Sequence, residues 1–275
     1  MNIILISLLT LVIVGSFSAV ILYFVSKKFE VFEDPRIDEV EAALPAANCG
    51  GCGFPGCRGF ANACVNTDTL DNLRCPVGGT PTMEKVAAIL GKTAIAAVPL
   101  VAVVRCGGTC ELRPHTNQYD GVSSCAIAHN LYGGETACSW GCLGLGDCEL
   151  SCKFDAIHIN PDTLLPEVDD EKCTSCGACV KACPKFIIEL RKKGPKSRRI
   201  YVSCVNKDKG AIAKKACSVA CIGCSKCFNV CPHEAITMAN NLAFIDSDKC
   251  KLCRKCVVVC PTGAIVELNF PQKKD

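Results

Sequence analysis

The chain opens on an apolar stretch that nothing later in it repeats. Ile3 to Val25 contains no charged residue. At 1.5 Å per residue these positions span about 34 Å as a helix, enough to cross a hydrocarbon layer roughly 30 Å thick. The stretch ends in Tyr23, Phe24, Lys27 and Lys28, an aromatic-then-basic order that places the following residues in the cytoplasm. A cleavable export signal fits less well, because no Lys or Arg precedes the run and no small-x-small site closes it. The pattern predicts an anchor over 1–28. An acidic linker, 29–47, follows with Glu33, Asp34, Asp38 and Glu39, and reads as a solvated tether.

Beyond residue 47 the apolar positions come in short pieces. A Gly- and Cys-rich segment occupies 48–80. Within a connecting α/β segment, 81–135, Met83 to Leu90 has helical spacing and Val98 to Val104 is a Val-rich run of strand length. Cys106 to Cys125 is irregular and polar. Two stretches, 136–192 and 216–270, then repeat one another, leaving a short tail, 271–275. Between them, 193–215 reads as a basic linker, entered through RKKGPKSRR from Arg191 to Arg199, with docking of an acidic partner as its other reading.

Cysteine changes this picture most. There are 26 in 275 residues, a density typical of disulfide scaffolds. Here they lie three apart in tight runs on a chain read as cytoplasmic, which points to metal instead. Cys173, Cys176, Cys179 and Cys183, followed by Pro184, form the C-x₂-C-x₂-C-x₃-C-P run of two-cluster ferredoxins. Cys221, Cys224, Cys227 and Cys231 with Pro232 repeat it, as do Cys250, Cys253, Cys256 and Cys260 with Pro261. A fourth run is altered: in Cys142-Leu-Gly-Leu145-Gly-Asp-Cys148, Leu145 stands where a thiolate belongs, and Lys153 replaces the Pro after Cys152. Cys138, four residues upstream of Cys142, is the expected substitute.

In two-cluster ferredoxins the fourth cysteine of each run binds the other cluster. Carried over, this predicts four [4Fe–4S] sites: Cys138, Cys142, Cys148 and Cys183; Cys152, Cys173, Cys176 and Cys179; Cys221, Cys224, Cys227 and Cys260; Cys231, Cys250, Cys253 and Cys256. Soft sulfur suits iron–sulfur clusters, and sharing ligands keeps each pair close. A fifth site, nearer the anchor, is Cys49, Cys52, Cys57 and Cys75. Its spacing alone also fits zinc, and the neighbouring runs favour iron. Cys64, Cys106, Cys110, Cys125, Cys204 and Cys217 are left over. Cys64 reads as a buried thiol. Cys125 and Cys204 each lie thirteen before Cys138 and Cys217, so they are expected to correspond, with Cys217 redundant. A further site on Cys106, Cys110 and Cys125 is the less favoured alternative to packing.

Net charge is only +3, which argues neither for nor against nucleic acid, and no nucleic-acid-binding motif is present. There is no Rossmann glycine fingerprint, P-loop or catalytic triad, so neither NAD nor flavin is expected on this chain, and no substrate-converting site of its own. The four histidines show no ligand spacing. With one Trp and few aromatics, ligation is expected to supply much of the folding energy. The expected class is α+β: one transmembrane helix, a small four-Cys domain, and two ferredoxin-like two-cluster modules.

The segment NCGGCGFPGC…CPVGG after a membrane helix, followed by ferredoxin repeats and GCLGLGDC, resembles the B subunit of Rnf/Rsx ion-translocating electron-transport complexes. The resemblance covers nearly the whole chain. It implies an electron-relay subunit of an ion-pumping ferredoxin:NAD oxidoreductase, in the cell (inner) membrane with its clusters on the cytoplasmic side. Its implied partners are soluble ferredoxin, other membrane subunits and the bilayer, with NAD and flavin chemistry in those other subunits. The alternatives are an iron–sulfur wire of another anaerobic membrane enzyme, of hydrogenase or formate type, and a redox sensor or metal store. Iron and sulfide analysis of the anaerobically purified chain is expected to return about five cubane clusters rather than zinc. On this sorting Cys138→Ala removes one cluster and Cys217→Ala removes none.

Overall fold

A computed structural model describes residues 3–28, 33–93, 98–131 and 133–271. Residues 29–32 of the expected linker and 272–275 of the expected tail lie outside the described residues. Helix α1 (Ile3–Lys28) is apolar all round. Its Leu11, Phe17 and Leu22 are about two-thirds exposed, a surface suited to lipid and not to water. The Lys27 ammonium lies 5.6 Å from the centre of the Tyr23 ring, at the end where a snorkelling cation belongs.

The acidic segment is not simply a tether. It contains α2 (Arg36–Ala43), whose Ile37 and Val40, together with Leu44, share one face and are buried. That stripe packs against α3 (Cys57–Asn66) and α4 (Gly79–Leu90) around Phe60, Cys64, Met83 and Val86. The charges that suggested solvation lie on the opposite face, where Arg58 of α3 pairs with Glu33, Asp38 and Glu41. Half-exposed pairs of this kind contribute little each. The Lys92 ammonium donates to the Cys64 and Val65 carbonyls at 2.7 and 3.2 Å, satisfying orphan acceptors at the end of α3.

Strand β1 (Leu100–Val104) begins the first half of the repeat. Then come α5 (Cys125–Leu131), α6 (Asp147–Leu150), β2 (Ile157–Ile159), β3 (Pro166–Val168), α7 (Ala178–Ala182) and β4 (Ile188–Lys192). The second half runs β5 (Arg199–Val202), α8 (Gly210–Ala216), α9 (Lys226–Val230), β6 (Ile236–Ala239), β7 (Leu242–Ile245), α10 (Lys255–Val258) and β8 (Ile265–Leu268). All pairing is antiparallel and in two-stranded sheets: β1 with β4, β2 with β3, β5 with β8, β6 with β7.

The expected 193–215 linker is therefore mostly structure. β5 is buried at every residue and closes the second module against β8, with Val202 opposite Ile265. β1 does the same for the first, with Val104 opposite Ile188. The correspondence extends past the strands. The Arg105 amide donates to the Ile187 carbonyl at 2.6 Å, and the Ser203 amide donates to the Ala264 carbonyl at 2.8 Å. Each repeat thus begins with its own closing strand, upstream of the cysteine runs that betray it.

The basic stretch is also largely spoken for. Arg199 is 5% exposed, and its Nη2 donates to both carboxylate oxygens of Asp170 at 2.7 and 2.8 Å. Arg191 is buried, paired with Glu189, and lies over the rings of Tyr201 and Phe244. Arg198 lies over Phe270, and Lys192 pairs with Asp248 at 2.6 Å. These cations join the repeats to each other and leave little for an acidic partner.

Phe60 is 1% exposed and meets Phe54 edge-on, with ring centroids 5.7 Å apart. Phe60→Ala should cost about 3–5 kcal/mol, enough to unfold the α2–α4 unit. Limited proteolysis between residues 33 and 93 checks this, and the repeats should stay resistant.

Candidate iron–sulfur sites

The described cysteines are all free of disulfides, and twenty of them line five cavities in groups of four. Among the described residues no three Cys, His, Asp or Glu side chains are placed to hold a single metal ion. All-thiolate sets repeated in this way suit iron–sulfur clusters, as the runs predict.

Three expected sets come together unchanged. Cys152, Cys173, Cys176 and Cys179 line one cavity. Cys221, Cys224, Cys227 and Cys260 line a second, and Cys231, Cys250, Cys253 and Cys256 a third. In each, three cysteines come from one run and one from its partner run. The turns that wrap these runs have a left-handed residue just before the short helix: Gly177 ahead of α7, Ser225 ahead of α9 and Arg254 ahead of α10.

The first set is sorted differently. Cys142, Cys148 and Cys183 share a cavity with Cys125, not with Cys138. The reason is a clamp on Asp147. Its carboxylate accepts the Cys125 and Ala126 amides, both at 2.9 Å, and the Ser124 hydroxyl at 3.1 Å. This pins the start of α5 over the altered run. The Cys125 sulfur then meets the backbone N–H groups of Asp147 and Leu145, at the very residue that lacks a thiol. Cys138 instead lies in a separate cavity with Cys106, Cys204 and Cys217. The spacing of thirteen misled, because Cys106 and not Cys125 is the counterpart of Cys204. Each follows its module's closing strand by two residues. The sequence signal for Cys125 was Asp147 itself, a carboxylate in a run whose counterpart has Lys226. Cys110 stands outside these groups, its thiol donating to the Asp162 carbonyl at 3.2 Å.

The anchor-side set is built on the loop between α2 and α3. Cys57 opens α3, its amide donating to Asn48 Oδ1 at 2.8 Å. Gly56 has φ 90°, and a Cβ there would stand 2.8 Å from the same oxygen. The Gly51 amide points at Cys49 Sγ at 3.5 Å and the Gly78 amide at Cys75 Sγ at 3.3 Å. Such N–H groups stabilise charge on sulfur. The Cys75 thiol is pushed up by burial and faces Cys49 and Cys52. Cys64 is fully buried beneath them in the helical core, its thiol pushed up to about 11, chiefly by burial.

Burial works the same way elsewhere. It pushes Cys148 and Cys256 up to about 12 and Cys179 and Cys227 up to about 11, with neighbouring cysteines adding to the shift in each. Four such thiols cannot ionise together without a compensating cation, so metal loading and proton release are one process.

The sets lie side by side. Cys148 faces Cys179 of the next set, and Cys256 faces Cys227. Gly51 lies against the Cys176 backbone, where a Cβ would come within 2.8 Å of the carbonyl oxygen. The anchor-side loop and the first module touch at that point.

Known protein families match the same stretches of chain. Residues 136–187 and 220–264 match the model of the 4Fe-4S dicluster domain, residues 172–234 that of a 4Fe-4S double cluster binding domain, and residues 44–77 that of a putative Fe-S cluster. The B subunit of the Na(+)-translocating ferredoxin:NAD(+) oxidoreductase complex of Acetobacterium woodii is 48% identical over 227 residues, 82% of this chain and 66% of that protein. Its proton-translocating counterpart in Clostridium ljungdahlii is 41% identical over 250 residues, covering 91% and 87%. The B subunit of the ion-translocating oxidoreductase complex of Methanosarcina acetivorans is 38% identical over 231 residues, covering 84% and 86%.

The chain belongs to the Rnf-type B-subunit family. As a member of that family it is an electron-transfer protein with several [4Fe–4S] clusters, and α1 fits a place in the membrane complex. The three matches to family models account for the anchor-side set and the two modules. They do not reach Cys106 or Cys125.

Gly51→Val places branched carbon where Cys176 already sits. Overpacking of this kind should cost about 1–3 kcal/mol and part the two loops. The expected result is a lowered thermal midpoint with slowed reoxidation of the module clusters through the anchor-side site, measured by stopped-flow absorbance.

Proposed function

We propose that this chain receives electrons from soluble ferredoxin in the cytoplasm and relays them to membrane subunits of a complex that moves Na⁺ or H⁺. The observation that carries the reading is the contact of Gly51 with Cys176. It joins the four cysteines next to the membrane helix to the ferredoxin-like modules, so these sites serve one path and not separate stores. Bound [4Fe–4S] clusters supply the one-electron chemistry. The residues proposed to hold them are Cys49, Cys52, Cys57 and Cys75; Cys152, Cys173, Cys176 and Cys179; Cys125, Cys142, Cys148 and Cys183; Cys221, Cys224, Cys227 and Cys260; and Cys231, Cys250, Cys253 and Cys256.

The two ends differ in what the protein does around them. Cys224 and Cys253 are exposed, one in each set of the second module. Lys226, Lys249, Lys251 and Lys255 flank them in sequence, giving an electropositive mouth for an acidic carrier. Exposure there admits a diffusing partner, while the remaining cysteines of those sets are buried or half-buried. At the other end, Lys27 and Lys28 close α1, a basic flank that supports a cytoplasmic side for the modules. The chain converts no substrate of its own on this reading, and the relatives' NAD chemistry falls to other subunits. A hydrogenase- or formate-type wire is the runner-up, and no observation on this chain favours it.

The test uses the full-length chain, purified anaerobically in detergent and mixed with reduced ferredoxin. Bleaching of the iron–sulfur absorption and a reduced-cluster EPR signal are expected. A zinc-only protein, or clusters that ferredoxin does not reduce, overturns the proposal. Within it, Cys125→Ala should lower iron by about four atoms per chain. Adding Leu145→Cys, which restores the ordinary run, should bring them back.

A further inference from the structure

We propose a sixth [4Fe–4S] site, held by Cys106, Cys138, Cys204 and Cys217, that bridges the two modules. It rests on the electron-relay reading and extends it. These four cysteines line one cavity between the repeats. Cys138, Cys204 and Cys217 are 6–8% exposed. They come in two equivalent pairs. Cys106 and Cys204 each lie two residues past a closing strand, and Cys138 and Cys217 each lie four residues before the first cysteine of a run. The amides agree as well. The Cys142 N–H donates to Cys106 Sγ at 3.5 Å, and the Cys221 N–H donates to the Cys204 sulfur. Each repeat supplies half of the site, so neither module viewed alone reveals it.

The surroundings are those of an anion. Arg113 is 3% exposed and has no carboxylate partner among the described residues. Its guanidinium donates to the Cys142 carbonyl at 2.6 Å, and its stem lies over Gly108. A buried cation left unpaired is expensive. A four-thiolate iron–sulfur group carries net negative charge and would offset it. Asn206, 1% exposed, directs its backbone N–H at Cys204 Sγ, 3.4 Å away, and its Nδ2 at Cys138 Sγ, 3.7 Å away. A fully buried side-chain amide whose donor meets only sulfur is a built ligand shell. Gly108 completes it, since a Cβ there would stand 2.9 Å from Cys217 Sγ.

Position gives the site its role. Cys142 of the first module lies against Cys106, and Cys221 of the second lies against Cys204. A carrier between them divides the step from one module to the other into two shorter ones. With it, each electron arriving from the Cys221 side is matched by one leaving on the Cys142 side, and the line runs unbroken from the exposed mouth to the membrane.

Iron and acid-labile sulfide are counted on the full-length chain in detergent, with EPR. Six sites predict about 24 irons per chain, falling to about 20 in Cys106→Ala and in Cys217→Ala, with Cys110→Ala unchanged. Wild-type iron content in both variants, or about 20 irons with one zinc in the wild type, overturns the sixth site and leaves the relay standing. A chain with no iron fails both. Asn206→Leu guards against misfolding. It keeps the four thiolates, so iron content should hold while the midpoint of one cluster falls in an EPR redox titration. An unchanged set of midpoints counts against the assignment.

Discussion

Sulfur held around iron is the constraint on which this structure depends. The apolar cores are small, and the cysteines themselves fill them: one core includes Cys138, Cys204, Cys217, Cys221, Cys227 and Cys256 beside short aliphatic side chains. The sheets have two strands each and the helices of the modules run for four to seven residues. Such elements are too short to be stable alone. Ligation closes the loops between them, so binding energy and folding energy are the same quantity here. Burial that raises the thiol pKa values gives the metal-free chain neutral sulfur, and ionisation accompanies assembly.

The repeats show how two such modules become one body. Each begins with a strand that waits for its partner until the end of the module, β1 for β4 and β5 for β8. The residues just past those strands then face each other across the interface. There the Gly107 amide donates to the Ser203 carbonyl at 3.0 Å, and the Arg105 guanidinium reaches the Val202 and Cys204 carbonyls at 3.3 and 3.2 Å while pairing with Glu189. A buried arginine that bonds to both repeats fixes their orientation more firmly than apolar contact alone.

Much of this was legible in the sequence, and the limits have physical causes. The three regular cysteine runs, the anchor and Val98 to Val104 are local patterns, and local patterns survive folding. β5 was hidden because its flanks are basic and its partner lies more than sixty residues on. α2 was hidden because acidic residues on the outer face masked the Ile37, Val40 and Leu44 stripe. Cys125 was missed because its placement depends on Asp147 folding back across twenty-two residues. The charges of RKKGPKSRR read as solvated, yet Arg191 and Arg199 are buried, one paired with Glu189 two residues before it and the other with Asp170 of the first repeat.

The exposure of Cys224 and Cys253 has a further consequence. A thiolate open to solvent is open to oxygen as well as to a carrier, and its oxidation to sulfenic acid and beyond removes a ligand. Oxidative damage should therefore begin at the outer mouth, while the better-buried sulfurs nearer the bilayer survive. On the relay proposed above, an aerated cell would lose the inlet first, disconnecting the membrane machinery from its reductant before the anchored end is harmed.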